Sequence, residues 1–319
     1  MIERKSVHET PFDLDATADY LRWRDDKLAR QPVHAQDLIV DVADPRNLTT
    51  AERDALLQRC ATANMAIYRS PLLGEDKSIA LQLGRQLGLY RLDGNWLADE
   101  DGISQIEVAP PVGDRMAFIP YTNRPIKWHT DGYYQPPTRL IRAMVLHCVR
   151  SAREGGENAL MDHELAYIAM RDANPEWVCA LMQPDAMTIP ERPDDDGIAR
   201  PEQAGPVFSV DELDGTLHMR YTARTRSIQW KDDAPTRGAV AFLEQLLAGD
   251  SVGIFRLRMA PGMGLVCNNV LHDRAGFVDD VLQPRLLYRA RYLDRVGAVD
   301  TGGRHAAVDD VYGKLASSP

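Results

Sequence analysis

Three side chains of metal-binding type stand in two short motifs. The first is Trp128-His129-Thr130-Asp131-Gly132-Tyr133-Tyr134. Side chains alternate along an extended segment, so His129 and Asp131 point to one side and can grip a single ion. Gly132 lets the chain bend. Trp128, Tyr133 and Tyr134 can wall the site or offer aromatic faces to an ammonium group. The second motif is Asn268-Asn269-Val270-Leu271-His272-Asp273-Arg274, which follows the strand-like run GLVC. Taken singly, each motif also fits a histidine in a surface turn.

Together, His129, Asp131 and His272 would place two imidazoles and one carboxylate on one face of an ion. That donor set leaves positions open and is typical of non-haem iron(II) oxygenases. Zinc accepts the same donors, so ligand type does not choose the metal. A zinc hydrolase that activates water is the alternative enzyme. A non-catalytic, small-ligand-binding β-barrel is the alternative without chemistry.

The arginines narrow the choice. In Pro284-Arg285-Leu286-Leu287-Tyr288-Arg289-Ala290-Arg291, strand alternation puts Arg285, Arg289 and Arg291 on one face and Leu286, Tyr288 and Ala290 on the other. An inward row of arginines needs anions, because buried charge must be paired. Arg285 can hold a carboxylate through two parallel hydrogen bonds. The bland reading is a solvated edge facing the many acids of the chain. Arg224 and Arg226, in Tyr221-Thr222-Ala223-Arg224-Thr225-Arg226, offer further anion contacts or ordinary surface charge. His147 and His218 read as hydrogen-bonded core residues in strands. His163 lies near a helix start, and His8, His34 and His305 are expected at the surface. Cys148 and Cys267 read as small core residues.

These side chains need a scaffold. The chain has 319 residues, with 44% hydrophobic and 26% charged, a balance that excludes bulk disorder. Its 37 basic and 47 acidic residues give a net charge of −10, which disfavours coating a nucleic acid. The four cysteines are scattered and form no C-x-x-C pair. No 18-residue apolar run and no apolar leader stand out, so a cytoplasmic protein with no membrane partner is expected. A small molecule is the expected partner, and the oligomeric state is open, a homo-oligomer included.

Residues 1–48 mix short apolar pieces with turns. Thr49 and Glu52 form capping-box spacing for a helix to about Asn64, with Leu56, Leu57, Cys60 and Ala61 on one face. Met65 to Tyr68 reads as a buried strand. A helix from Asp76 carries Ile79, Ala80, Leu83 and Leu87 on one face and ends at Gly88. Residues 1–100 are therefore expected to support a core built later in the chain. Residues 140–149 give the strongest strand signal. Helices are expected from Asp162 to Met170 and from Asn174-Pro175. Residues 184–206 hold five prolines and the acids Asp194 to Asp196, which reads as a loop or lid insertion, a domain linker being the rival. A hairpin at 207–221, a helix at 236–247 and strands at 253–259, 264–268 and 286–293 follow. The fold class expected is mainly β with flanking helices.

Four pieces in order resemble one family, the TauD/TfdA-like iron(II)- and 2-oxoglutarate-dependent dioxygenases. They are WHTDGYY at 128–134, the Gly155-Gly156 turn with Asn158 and Asp162 after it, VLHDRAGF at 270–277 and RLLYRARYL at 285–293. The stretch HCVRSAREGGENALMD is similar to the γ-butyrobetaine and trimethyllysine hydroxylase branch. The resemblance implies a double-stranded β-helix, or jelly-roll, core within a single domain over 1–319. It implies Fe(II) on His129, Asp131 and His272, with 2-oxoglutarate and O2 as co-substrates and succinate and CO2 as products. Arg285 matches the arginine that holds the far carboxylate of 2-oxoglutarate. Asn158 stands where a co-substrate threonine is common and could donate a hydrogen bond there. Arg289 matches an arginine that binds an anionic substrate group in sulfonate-oxidising members. Tyr133, Tyr134 and Arg224 complete the expected substrate contacts. Halogenating relatives lack the carboxylate ligand, so Asp131 implies hydroxylation of a C–H bond or an oxidation that follows it. The expected substrate is a small polar, anionic or zwitterionic metabolite.

Overall fold

Alternation sorts the strand side chains onto two faces, and two sheets meet across one of them. The computed structural model describes residues 10–94, 101–109, 118–192, 200–224 and 228–297. The larger sheet has six strands in the order Ile39–Asp41, Met65–Arg69, Met263–Cys267, Ala143–Arg150, Leu286–Tyr292 and Ser104–Ile106. Only its first pair is parallel. The smaller sheet is antiparallel, in the order Ile254–Leu257, Asn158–Met161, Leu271–Arg274 and Ile126–His129.

The chain passes repeatedly from one sheet to the other. The bend at Pro261-Gly262 carries it from Ile254–Leu257 in the small sheet to Met263–Cys267 in the large one. Between the sheets lie Met65, Ile67, Met144, Cys148, Leu265 and Leu287 from one side and Leu160 and Phe255 from the other. Burying one such side chain contributes about 1.5–3 kcal/mol. The outer face of the large sheet carries Tyr68, Val145, Val266, Tyr288 and Ala290 and is covered by the Thr50–Ala63 and Ser78–Gln86 helices. The outer face of the small sheet carries Ala159, Met161 and Leu271 and is covered by the His163–Ala173 and Ala234–Ala248 helices. Leu287, Arg289 and Arg291 therefore face the interlayer space, opposite Tyr288 and Ala290, as strand alternation requires.

Several sequence expectations hold at residue level. Thr49 and Glu52 form the capping box, and Asn174 caps the helix that Pro175 opens, while the helix expected from Asp162 runs His163–Ala173 with Asp162 as its cap. Other expectations change. Among the described residues each sheet is open. The fold is mixed α/β, with open sheets that end at strands of three or four residues and with flanking helices. The segment 184–206 is not loop throughout. Met187–Ile189 pairs with Gln203–Gly205, while Asp194 to Asp196 lie outside the described residues. The strand expected from 140 begins at Ala143. Residues 1–48 hold a 14-residue helix, Thr17–Arg30, that the sequence reading missed. Its buried residues are Tyr20 and Lys27, and Lys27 Nζ reaches Asp162 and Glu164 at 2.6 and 2.5 Å. Its inner face is short, with Tyr20 and Trp23 packed against Tyr167 and completed by the charged Lys27. Among the described residues, no helix is long and apolar enough to cross a membrane.

His147 is a core histidine, with Tyr68 Oη 2.8 Å from its Nδ1. Burial pushes its pKa down to about 4, and burial also lowers those of His163 and His218. The unfolded imidazoles take up protons near pH 6.5, whereas the folded ones do not. Stability is therefore full above about pH 6.5 and falls as the pH drops from there toward pH 4, by about 1.4 kcal/mol per unit for His147, with His163 and His218 acting in the same direction. Metal-free protein should melt lower at pH 5.5 than at 7.5. His147→Gln should flatten that dependence, and equal melting temperatures at both pH values would contradict it.

Candidate metal centre

The two metal-type motifs meet by strand register. His129 ends the Ile126–His129 strand and lies opposite His272 in the antiparallel pair. Their ring centroids are 4.2 Å apart. Asp131 follows just past the strand end, with Oδ1 3.9 Å from His129 Nε2. One donor atom from each of the three residues lies within 4.8 Å of the others.

The tautomers suit an ion. His129 Nδ1 is 2.9 Å from Lys127 O, and His272 Nδ1 is 3.0 Å from Val270 O. A carbonyl only accepts, so each Nδ1 carries the proton and each Nε2 presents a lone pair. Burial, then the neighbouring His272, pushes the pKa of His129 down to about 3, so its ring is neutral. Burial would raise that of Asp131, but Arg289 and Arg291 hold it below the usual carboxylate range. Asp131 Oδ2 is buried and has no hydrogen-bond partner. Two imidazoles that turn Nε2 to the centre, one carboxylate and an orphaned carboxylate oxygen fit a divalent metal.

Arg289 reaches this centre from the opposite sheet, with Nη1 3.2 Å from Asp131 Oδ1. It touches the carboxylate directly. Arg285 lies four residues away on the same face, buried beside the Gly155-Gly156 turn. Both glycines have positive φ, and a Cβ at Gly155 would meet Gly276 O at 2.4 Å, so the turn can press against the strand segment after His272. Arg285, Gly156, Asn158, Cys148 and Leu287 line one small cavity. Among the described residues no carboxylate forms an ion pair with Arg285, and burial lowers its pKa to about 10. Its guanidinium stands 5.1 Å from the Phe277 ring centroid.

Asn158 lines the cavity beside Arg285. Its Nδ2 donates to Asp273 O at 2.7 Å, and its buried Oδ1 has no partner. The carbonyl partner fixes the amide orientation: one Nδ2–H is used, a second remains as a donor, and Oδ1 is an acceptor without a partner. Arg224 lies two residues beyond Thr222, which bridges His129, and is partly buried at that edge of the small sheet. Arg226 lies outside the described residues. Tyr133 and Tyr134 contact edge to face at 5.3 Å. Arg200 stands 5.6 Å from the Tyr134 ring centroid, one of the aromatic faces that could wall the site or meet a substrate ammonium.

Three residues that the sequence reading gave no role hold these parts together. Arg220 donates to Tyr133 O, Met187 O and Gln203 O, tying the aromatic turn to the small hairpin. Asp93, fully buried, pairs with Arg291 at 2.5 Å and with Arg139 at 2.8 Å. Arg291 in turn donates to Tyr134 Oη at 3.0 Å. Asn269 bonds the backbone of Asp131. The arginine row signalled a need for acids, but spacing alone could not single out Asp93 among 47 acidic residues. Asp93→Ala would strand two guanidinium groups, one of them deeply buried, at a cost of about 3–5 kcal/mol. Urea denaturation should show that loss, and a midpoint unchanged from the parent would refute it.

Comparison with known proteins agrees with this geometry. Residues 25–291 match the family described as taurine catabolism dioxygenase TauD, TfdA family, and the chain belongs to that family. A uridine-5'-phosphate dioxygenase from an Amycolatopsis species is 34% identical over 176 residues, covering 52% of this chain and 60% of that protein. One of the same name from a Streptomyces species is 30% identical over 176 residues, covering 52% and 61%. The chain thus spans about three fifths of the length of these relatives. The solved structure of the non-haem iron oxygenase OrfP with Fe and alpha-ketoglutaric acid shares the fold. Its TM-score is 0.58 at 16% identity, covering 79% of this chain and 81% of that one.

Proposed function

We propose that this protein is an Fe(II)- and 2-oxoglutarate-dependent hydroxylase of a small anionic metabolite. The convergence of three donor atoms within 4.8 Å, with both imidazole Nδ1 protons already committed to carbonyls, carries the reading. His129, Asp131 and His272 would hold the iron. Bound iron with 2-oxoglutarate supplies activation of O2, placing one oxygen on a substrate carbon and the other in succinate, with loss of CO2. Arg285, buried without a carboxylate partner, would take the far carboxylate of 2-oxoglutarate. Asn158 would contribute its free acceptor to the cavity wall. Arg289 and Arg224 would favour a substrate anion, and Tyr133 and Tyr134 would wall the substrate side.

Arg200 over the Tyr134 face supports an anion rather than a quaternary ammonium, and so shifts weight away from a γ-butyrobetaine- or trimethyllysine-like substrate. The relatives named for uridine 5'-phosphate support a phosphate monoester as the first substrate to try. We read the two facing sheets as an open form of the double-stranded β-helix, within a single domain. Residues 1–100 serve as its support and 184–206 as an insertion at its substrate side.

Anaerobic Fe(II) titration tests the centre. A weak visible charge-transfer band should appear only when iron and 2-oxoglutarate are both present. Succinate release should then be compared with uridine 5'-phosphate and with γ-butyrobetaine. No band from folded, metal-loaded protein would overturn the proposal.

A further inference from the structure

Strand pairing stops one residue short of the carboxylate ligand. Thr130 is still held on the ladder: its N–H donates to Tyr221 O at 2.9 Å, and its Oγ1 accepts from Tyr221 N at 3.0 Å. Asp131 comes next, already beyond the strand, and Gly132 turns the chain away with φ +68. The backbone of Asp131 is buried, so its N–H and C=O need partners that no strand supplies.

A side chain supplies them. The Asp131 N–H donates to Asn269 Oδ1 at 2.7 Å, and Asn269 Nδ2 donates to Asp131 O at 2.9 Å. The same Nδ2 donates to Ile141 O at 2.6 Å. A primary amide carries the acceptor and donor of a peptide group, so Asn269 stands in for one strand residue. Its orientation is fixed, because Nδ2 faces two carbonyls. Asn269 is 1% exposed and adopts φ +52, one of two non-glycine residues with positive φ among those described. Asparagine tolerates that left-handed conformation better than most residues. The conformation sits three residues before His272, in the connection between the two strands that lead to it.

We infer that Asn269 is a positioning residue for the metal centre, an amide latch that fixes Asp131 against the strand carrying His272. It touches no reacting atom and acts through the Asp131 backbone. This rests on the proposed metal role of His129, Asp131 and His272. No other side chain reproduces the latch. Aspartate keeps the acceptor but sets a carboxylate against two carbonyls. Glycine keeps the positive φ and removes every latch bond.

The test uses the full chain and cobalt(II) as a spectroscopic stand-in, titrated anaerobically without substrate. Circular dichroism and thermal melting first establish that Asn269→Gly and Asn269→Asp are folded. Both should bind cobalt(II) about 10- to 100-fold more weakly than the parent, the range found for partners behind a metal ligand. The visible cobalt band should also change shape. A purely structural role would lower the melting temperature and leave affinity and band shape unchanged. Folded Asn269→Gly with parental affinity and spectrum would therefore overturn the latch. Should Asn269→Gly fail to fold, the same readout from Asn269→Asp decides, since it keeps the side-chain volume. A parent that itself binds no cobalt(II) would overturn the metal reading, and the latch with it. A parent that binds beside unaffected variants would overturn the latch alone.

Discussion

Asp131→Ala is expected to lose tight Fe(II) binding and to reduce 2-oxoglutarate turnover by more than about 100-fold, beyond the range for residues that only support a ligand. The carboxylate is the one anionic donor of the centre, and its Oδ2 has no other partner to satisfy it. Two neutral imidazoles alone would leave the ion without charge neutralisation in a buried place. The same change releases Arg289, whose guanidinium lies 3.2 Å from Asp131 Oδ1. Breaking a buried pair typically costs about 3–5 kcal/mol. Arg289 retains 13% side-chain exposure and can turn toward the open substrate side, so the cost here should be smaller and the chain should stay folded. Adding Arg289→Ala removes the stranded charge and should recover part of any lost stability without restoring metal binding. Calorimetric metal titration and succinate release check both statements. Stoichiometric, tight iron binding by folded Asp131→Ala would disprove the ligand assignment.

Arg285→Ala carries the second large effect, and it separates binding from folding. Hydrogen bonds to a charged group are worth about 1.5–3 kcal/mol. The KM for 2-oxoglutarate should accordingly rise about 10- to 150-fold, while metal affinity without co-substrate stays near the parent value. Arg285→Lys keeps the charge but loses the planar fork, and should fall between the two. The stability expectation runs the other way. Burial lowers the pKa of Arg285 to about 10, so the folded chain holds this cation against a desolvation penalty. The Phe277 ring, 5.1 Å away, returns only part of that. The co-substrate-free melting temperature of Arg285→Ala should therefore hold or rise. A clear fall in melting temperature with an unchanged KM would make Arg285 a structural residue.

Much of the centre was legible in the sequence because it is carried by local spacing. His129 and Asp131 stand two apart and meet within reach of one ion. The alternation of Arg285, Leu287, Arg289 and Arg291 against Leu286, Tyr288 and Ala290 is a property of any extended strand. Helix caps at Thr49 and Asn174 were readable because a cap is a bond between residues two or three apart. The Thr17–Arg30 helix was not, because its anchor Lys27 is paid for by Asp162 and Glu164, more than a hundred residues away.

The sequence by itself determined which residues could bind a metal and an anion, and which face of each strand they occupy. Only the tertiary structure decided how those faces meet. It set His272 opposite His129 through strand register, and brought Arg289 from one sheet onto Asp131 near the other. It committed one Asn158 amide proton to Asp273 O and set Arg200 over the Tyr134 face. It also chose Asp93 as the partner of Arg291, and the Asn269 amide as the substitute strand beside Asp131. The physical reason is common to all of these. Buried polar groups must find partners, and in a two-sheet fold the partner within reach is set by packing and register rather than by distance along the chain.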